Sequence, residues 1–270
     1  MAVAAERGVD LSGLVALVTG GAAGIGEGCV RELARCGAAV VIADIDSETA
    51  LATAQSIERD GHKCIAADCD VMDPGQIRGA VERAAGEFGR LDILVNNAGG
   101  TRSGAFLEQS ERSWRRHIEM NLSSVLAATS AAATLMVDRG GGGSIVNVVS
   151  IEATRAAPGY AVYAACKAAV ASFTRTMAVE LAEHGIRVNA IAPDIIRTPG
   201  LGPADAGSAH RASGYVPLGR EGSIEECGSV VAFLCSSLAS YVTGVTIPVD
   251  GGTWASGGWA RAPAGGWTLF

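Results

Sequence analysis

Aromatic side chains are scarce in this chain: phenylalanine, tyrosine and tryptophan together make up 5 % of 270 residues. A core built on bulky rings is excluded, so packing must come from small aliphatic side chains and close backbone approach. Charge is also low, 18 % against 49 % hydrophobic residues, which excludes a chain that stays disordered for want of apolar surface. Positive charge is in deficit. The formal net charge of −7 at pH 7 argues against a nucleic-acid partner, which rewards a basic surface. No CxxC pair occurs among Cys29, Cys36, Cys64, Cys69, Cys166, Cys227 and Cys235, and His62, His117, His184 and His210 keep no metal-ligand spacing. The thiols are expected to be reduced and mostly buried in a cytoplasm, and no metal site is expected. The first ten residues carry Glu6, Arg7 and Asp10 and lack the apolar stretch of a secretion signal. The uncharged run 120–137 holds Asn121, Ser123, Ser124, Thr129, Ser130 and Thr134, too polar for a membrane span. A soluble, cytoplasmic protein with no membrane partner is expected.

What the chain does have is glycine, 36 residues of it, and a regular alternation of two patterns. Short β-branched runs at 14–19, 39–43, 63–67, 93–96, 144–149, 187–191 and 245–249 alternate with helical patterns at 24–36, 47–60, 74–88, 111–139, 160–184 and 224–236. Several of the runs are apolar throughout, as strands buried on both faces should be. The alternation predicts an α/β fold, a parallel sheet with helices on both sides. No linker divides the chain, so one domain over 1–270 is expected, with a small-residue segment at 198–216 resembling a lid.

The sequence TGGAAGIG at 19–26 follows the first strand and opens the first helix. Gly20, Gly24 and Gly26 leave no Cβ to block a pyrophosphate, and the helix N-terminus offers free N–H groups and a positive dipole end. Asp44 ends the second strand eighteen residues after Gly26. A carboxylate there accepts hydrogen bonds from the adenosine ribose hydroxyls and repels a 2′-phosphate. No Lys or Arg stands in the glycine loop or directly after Asp44 to hold such a phosphate, which favours NAD over NADP.

With NNAG at 96–99 the sequence resembles the short-chain dehydrogenase/reductase family over roughly 13–252. The ordered motifs are TGxxxGIG, Asp70-Val71, NNAG, Asn121, Ser150, the YxxxK of Tyr163 and Lys167, and VDGG at 249–252. The resemblance implies a Rossmann-type, doubly wound, seven-stranded parallel sheet of order 3-2-1-4-5-6-7 in three α/β/α layers. It implies cofactor contacts by Gly20, Gly24, Ile25, Gly26 and Asp44, by Asp70 and Val71 at the adenine, and by Asn97 beside the ribose. Ile196 and Thr198 are implied at the nicotinamide carboxamide, and Tyr163 and Lys167 are implied in contact with the cofactor as well. It also implies a homo-oligomer, a tetramer before a dimer, through the helices at 111–139 and 160–184. Two departures stand out. The family's Pro-Gly after the sixth strand is Pro193-Asp194 here, which puts a carboxylate near the nicotinamide side of the cleft. A tail over 253–270, with Trp254, Trp259, Trp267 and Phe270, continues where relatives often stop. It shows no helix or strand period, so it is expected to form no element of its own and to lie across a subunit interface beside a cleft.

Tyr163 and Lys167 are four residues apart on one predicted helix and share a face, with Ser150 thirteen residues upstream of the tyrosine at the end of the fifth strand. Tyr160 lacks a lysine partner, since Ala164 stands four residues on. Hydride loss from an alcohol leaves a protonated carbonyl, so a base must take the hydroxyl proton. Tyr163 is the expected base, and the acid in reverse. The Lys167 ammonium and a positive nicotinamide ring should both favour its phenolate. Ser150 is expected to orient the substrate oxygen, and the resemblance implies that Asn121 positions a water linking Lys167 to solvent. The expected activity is NAD-dependent exchange of a secondary alcohol and its ketone, on a small-molecule substrate. The alternatives are an NADPH-dependent 3-oxoacyl thioester reductase on the same scaffold and a non-catalytic nucleotide-sensing scaffold. Glu152, two residues after Ser150, faces either substrate or water.

Overall fold

The computed structural model describes residues 8–199, 214–262 and 265–269. Seven strands form one parallel sheet: β1 (Val15–Thr19), β2 (Ala39–Asp44), β3 (Cys64–Asp68), β4 (Ile93–Asn96), β5 (Gly143–Val148), β6 (Ile186–Pro193) and β7 (Thr246–Val249). Their order is β3-β2-β1-β4-β5-β6-β7, and every neighbouring pair is parallel. Among the described residues the longer helices are α1 (Gly24–Arg35), α2 (Ser47–Arg59), α3 (Pro74–Phe88), α4 (Glu111–Ile118), α5 (Ser124–Arg139), α6 (Ala161–Glu180) and α7 (Ile224–Cys235).

The two-residue period of a strand sorts its side chains between two layers. From β1, Ala16 and Val18 join the cluster under α1, α2 and α7, where Leu33, Ile57 and Val231 pack. Val15 and Leu17 join the cluster under α3 and α5, with Ile77, Val81 and Met136. Both faces are covered, which is why these strands read as unbroken apolar runs. Helix starts follow their caps: Asp46 accepts the Thr49 N–H before α2, and Asp73 accepts the Gly75 N–H with Pro74 opening α3. Ser223 and Glu226 form a reciprocal capping box at α7. Six of the seven cysteines are buried, Cys36 being half-buried, and all seven are free.

Two expectations need correction. The single helix over 111–139 is interrupted by a π-helical turn at Glu119–Ser123. There the Asn121 amide takes the His117 carbonyl at 3.0 Å, capturing an acceptor of the normal ladder. The combined run Glu111–Arg139 is long and apolar enough, by length and composition, to cross a membrane. In this fold Ala128, Ala132 and Met136 of that run pack into the core, and Thr129 accepts a bond from Asn96 at 3.1 Å. The tail is the second correction. Trp259–Arg261 pairs antiparallel with Trp267–Leu269, with Gly265 and Gly266 at positive φ between them. Arg261 donates to the Pro217 carbonyl at 3.1 Å and stacks over Trp267 at 5.2 Å. Most of the lid expected at 198–216 lies outside the described residues.

Candidate active site

A cleft of about 590 Å³ opens at the carboxyl ends of the strands. Strand order reverses there between β1 and β4, the switch point at which open α/β sheets bind ligands. It collects most of the residues singled out from the sequence: Gly20, Gly24, Ile25, Asp44, Asp70, Val71, Asn97, Ser150, Tyr163, Lys167 and Thr198. Gly26, Asn121 and Ile196 are not on its lining, and each exclusion has a reason. A Cβ on Gly26 would overlap the Gly20 carbonyl and come within 2.5 Å of the Asn97 amide, so this glycine closes the loop on itself. Asn121 is fully buried, binding the Gly100 N–H at 3.1 Å and carbonyl at 2.9 Å. Ile196 sends its side chain into the core against Gly222.

The glycine loop turns on Gly20 and Gly24, at φ +62° and +60°, values that side chains with a Cβ rarely adopt. Asn97 donates to the Thr19 and Gly20 carbonyls at 3.1 and 2.8 Å, so its amide braces the loop from β4. The residue before α1, Ala23, supplies no side-chain cap. The Asp44 carboxylate accepts the N–H groups of Ala22 and Asp46, both at 3.0 Å, which fixes it at the end of β2. A glycine turn, an uncapped helix start and an acidic second strand on one cleft fit a dinucleotide. The cations on the lining, Lys167 and Arg116, stand on α6 and α4.

At the other end of the cleft are Ser150, Tyr163 and Lys167. Ser150 accepts the Glu152 N–H at 3.2 Å, and its hydrogen bond favours the Tyr163 phenolate. Burial outweighs that bond, and Glu152 adds to it, so Tyr163 lies above the ordinary tyrosine range. The expected depression of this tyrosine is therefore absent in the protein alone. Lys167 Nζ is 5.6 Å from the Tyr163 ring centroid and donates to the Val148 carbonyl at 2.9 Å. Its burial pushes it down to about 8.

A lysine held at about 8 against 10.5 when free costs roughly 3 kcal/mol of stability at neutral pH. Lys167→Met removes that cost and forfeits one hydrogen bond worth about 1 kcal/mol. Denaturant unfolding at pH 7 should therefore show a gain of roughly 2 kcal/mol. The sign follows from the unfolded amine holding its proton to higher pH than the folded one. The cost is present in full below pH 8 and disappears toward 10.5, so the gain should fade over that window.

Sequence reasoning singled out Glu152 and Asp194 but not the Arg155 that joins them. Arg155 binds Glu152 Oε1 at 2.7 Å, reaches Asp194 Oδ1 at 3.4 Å and donates to the Tyr215 hydroxyl. Asp194 Oδ2 accepts from Thr253 at 2.6 Å. The available signal was the three-residue spacing of Glu152 and Arg155.

A family model described as enoyl-(acyl carrier protein) reductase matches residues 20–253. Oxidoreductase UcpA of Escherichia coli O157:H7 is 40 % identical over 252 residues, covering 90 % of this chain and 95 % of that one. The 3-oxoacyl-[acyl-carrier-protein] reductase FabG of Thermotoga maritima is 40 % identical over 242 residues, 90 % of this chain and 98 % of that one. The fold is similar to that of a 7α-hydroxysteroid dehydrogenase solved with NADH and 7-oxo glycochenodeoxycholic acid. That likeness has a TM-score of 0.87 at 32 % identity and covers 93 % of this chain and 98 % of the other.

Proposed function

The chain belongs to the short-chain dehydrogenase/reductase family, and from that premise we propose that it exchanges a secondary alcohol and its ketone with NAD as cofactor. It is an oxidoreductase using a nicotinamide cofactor on a small molecule. One observation carries the finer reading: Ser150, Tyr163 and Lys167 meet on a cleft that also holds the glycine loop and Asp44.

In this reading Gly20, Gly24, Ile25 and the start of α1 hold the pyrophosphate, Asp44 the ribose, and Asp70 and Val71 the adenine. Asn97 and Gly26 keep the loop in shape, and Thr198 with the Ile196 backbone meets the carboxamide. The cofactor supplies or accepts the hydride at the substrate carbon. Ser150 orients the substrate oxygen. Tyr163 gives that oxygen its proton in ketone reduction and takes it in alcohol oxidation. Lys167 faces the tyrosinate that reduction leaves, and Asn121 shapes the backbone around Gly100 on the approach to Lys167. The enzyme works in the cytoplasm as a homo-oligomer, a tetramer before a dimer, with the aromatic tail at a subunit contact.

Initial rates on a panel of secondary alcohols and ketones test the reading, with NAD and NADP side by side. NAD should win in kcat/KM. Asp44→Ala should narrow the gap by about tenfold, the weight of one charge facing a 2′-phosphate. It should also lower stability modestly, because the Ala22 and Asp46 N–H groups lose their acceptor. Preference for NADPH together with turnover of a 3-oxoacyl thioester would instead select the activity named for the Thermotoga maritima relative.

A further inference from the structure

Asp194 lines the same cleft as Ser150, Tyr163 and Lys167. It stands just after β6, where the family resemblance leads one to expect glycine, and its side chain is only 9 % exposed. Its carboxylate is held in place by Thr253 at 2.6 Å and by Arg155 at 3.4 Å. Two further carboxylates face this group. Glu152 takes the nearer contact of Arg155 at 2.7 Å, and Asp250 accepts from Thr253 at 3.2 Å. Asp194 and Glu152 therefore share one guanidinium, and with Asp250 behind Thr253 the group carries a formal charge of −2. Of the two cations on the cleft lining, Lys167 donates to the Val148 carbonyl and Arg116 stands on α4.

Such a group acts on a difference between two ligands that are otherwise alike. The nicotinamide ring is a cation when oxidised and neutral when reduced. A partly buried charge escapes much of the screening of solvent and salt. A fixed negative charge at the ring end thus favours one form over the other, while the contacts to adenine, ribose and pyrophosphate are common to both.

We propose that Asp194 determines which redox form of the cofactor the cleft prefers: its carboxylate tightens the oxidised form relative to the reduced form and shifts the equilibrium between the enzyme-bound forms toward ketone reduction. This rests on the nicotinamide-dependent reading above. By linkage, any factor gained in the affinity ratio appears as the same factor in the equilibrium between the two bound forms. Tyr163, which burial holds above the ordinary tyrosine range, is the acid for that direction in the proposed reading.

The test needs no turnover. Dissociation constants for NAD and for NADH are measured by calorimetry on the substrate-free protein. In Asp194→Asn, which keeps the shape of the side chain, the ratio Kd(NAD)/Kd(NADH) should rise on the order of fivefold to tenfold. Glu152→Gln should raise it by a smaller factor, and Arg155→Gln, which removes the compensating cation, should lower it. A purely structural role would weaken both forms alike and leave the ratio where it was. If both forms bind Asp194→Asn and the ratio stays within about twofold of the unaltered protein, the inference is overturned and the proposed function stands. If the unaltered protein binds neither form, the proposed function fails and takes the inference with it.

Discussion

Tyr163→Phe should lower turnover by about a hundredfold to ten-thousandfold while the dissociation constant for NADH barely moves. The substitution removes one hydroxyl from a side chain that is otherwise packed, so the cleft keeps its shape. What disappears is the proton that must reach the substrate oxygen as hydride reaches the carbon. Ser150 cannot replace it, because a serine hydroxyl surrenders its proton far less readily than a phenol. Tyr160 provides the internal control. It is 37 % exposed, caps α6 at its N-terminus without a side-chain hydrogen bond, and is not on the cleft lining. Tyr160→Phe should keep most of the activity. The pH dependence separates the directions further. Burial holds Tyr163 above the ordinary tyrosine range, so ketone reduction should hold through neutrality and decline only on the alkaline side. Alcohol oxidation should rise with pH over the same interval. Normal turnover by Tyr163→Phe on a good substrate would remove this residue from the chemistry.

The central strands were legible because they are buried on both faces: the apolar run of β1 sends alternate residues to two layers. The order of the sheet was legible only through the family resemblance, since period and length do not say which strands are neighbours. Members of the proposed site could be picked out where a side chain suggests its own chemistry, as with Asp44, Tyr163 and Lys167, which line one cleft. They were less evident where a residue acts on the chain itself. Asn97 braces the glycine loop, Asn121 remakes a helix turn, and the Ile196 side chain packs in the core. Groups distant in sequence were out of reach for another reason. Asp92, 5 % exposed, gathers the Val15 N–H, Arg90 and Arg139 at 2.7–3.0 Å, and no local pattern announces that meeting. The tail hairpin did leave a signal, the Gly265-Gly266 pair between two short aromatic segments.

Gly28 is the residue whose importance the sequence hid most completely, and Gly28→Ala should destabilise the protein by about 3 kcal/mol or more. It sits one turn into α1, directly after the glycines read as cofactor contacts, yet it faces away from the cleft lining. A Cβ there would overlap the Ile224 carbonyl and lie 2.5 Å from its carbon. The obstruction is backbone, so it cannot swing aside as a flexible side chain can. Gly228 on α7 meets the backbone of Gly28 in the same way from the other helix. The two helices therefore touch main chain to main chain, and α1 could admit a methyl group only by moving off α7. Since α1 also presents its N-terminus to the cleft, that shift would weaken NADH binding as well. Gly79 in α3 is the matching control. It is exposed, lies inside a helix, and has nothing within 4 Å of where a Cβ would go. Gly79→Ala should instead stabilise by roughly 0.5–1 kcal/mol, through the backbone freedom it removes from the unfolded chain. Thermal unfolding of both variants decides the matter, at roughly 2–4 °C per kcal/mol for a chain of this size. Equal melting temperatures for Gly28→Ala and the unaltered protein would mean that α1 and α7 are free to separate.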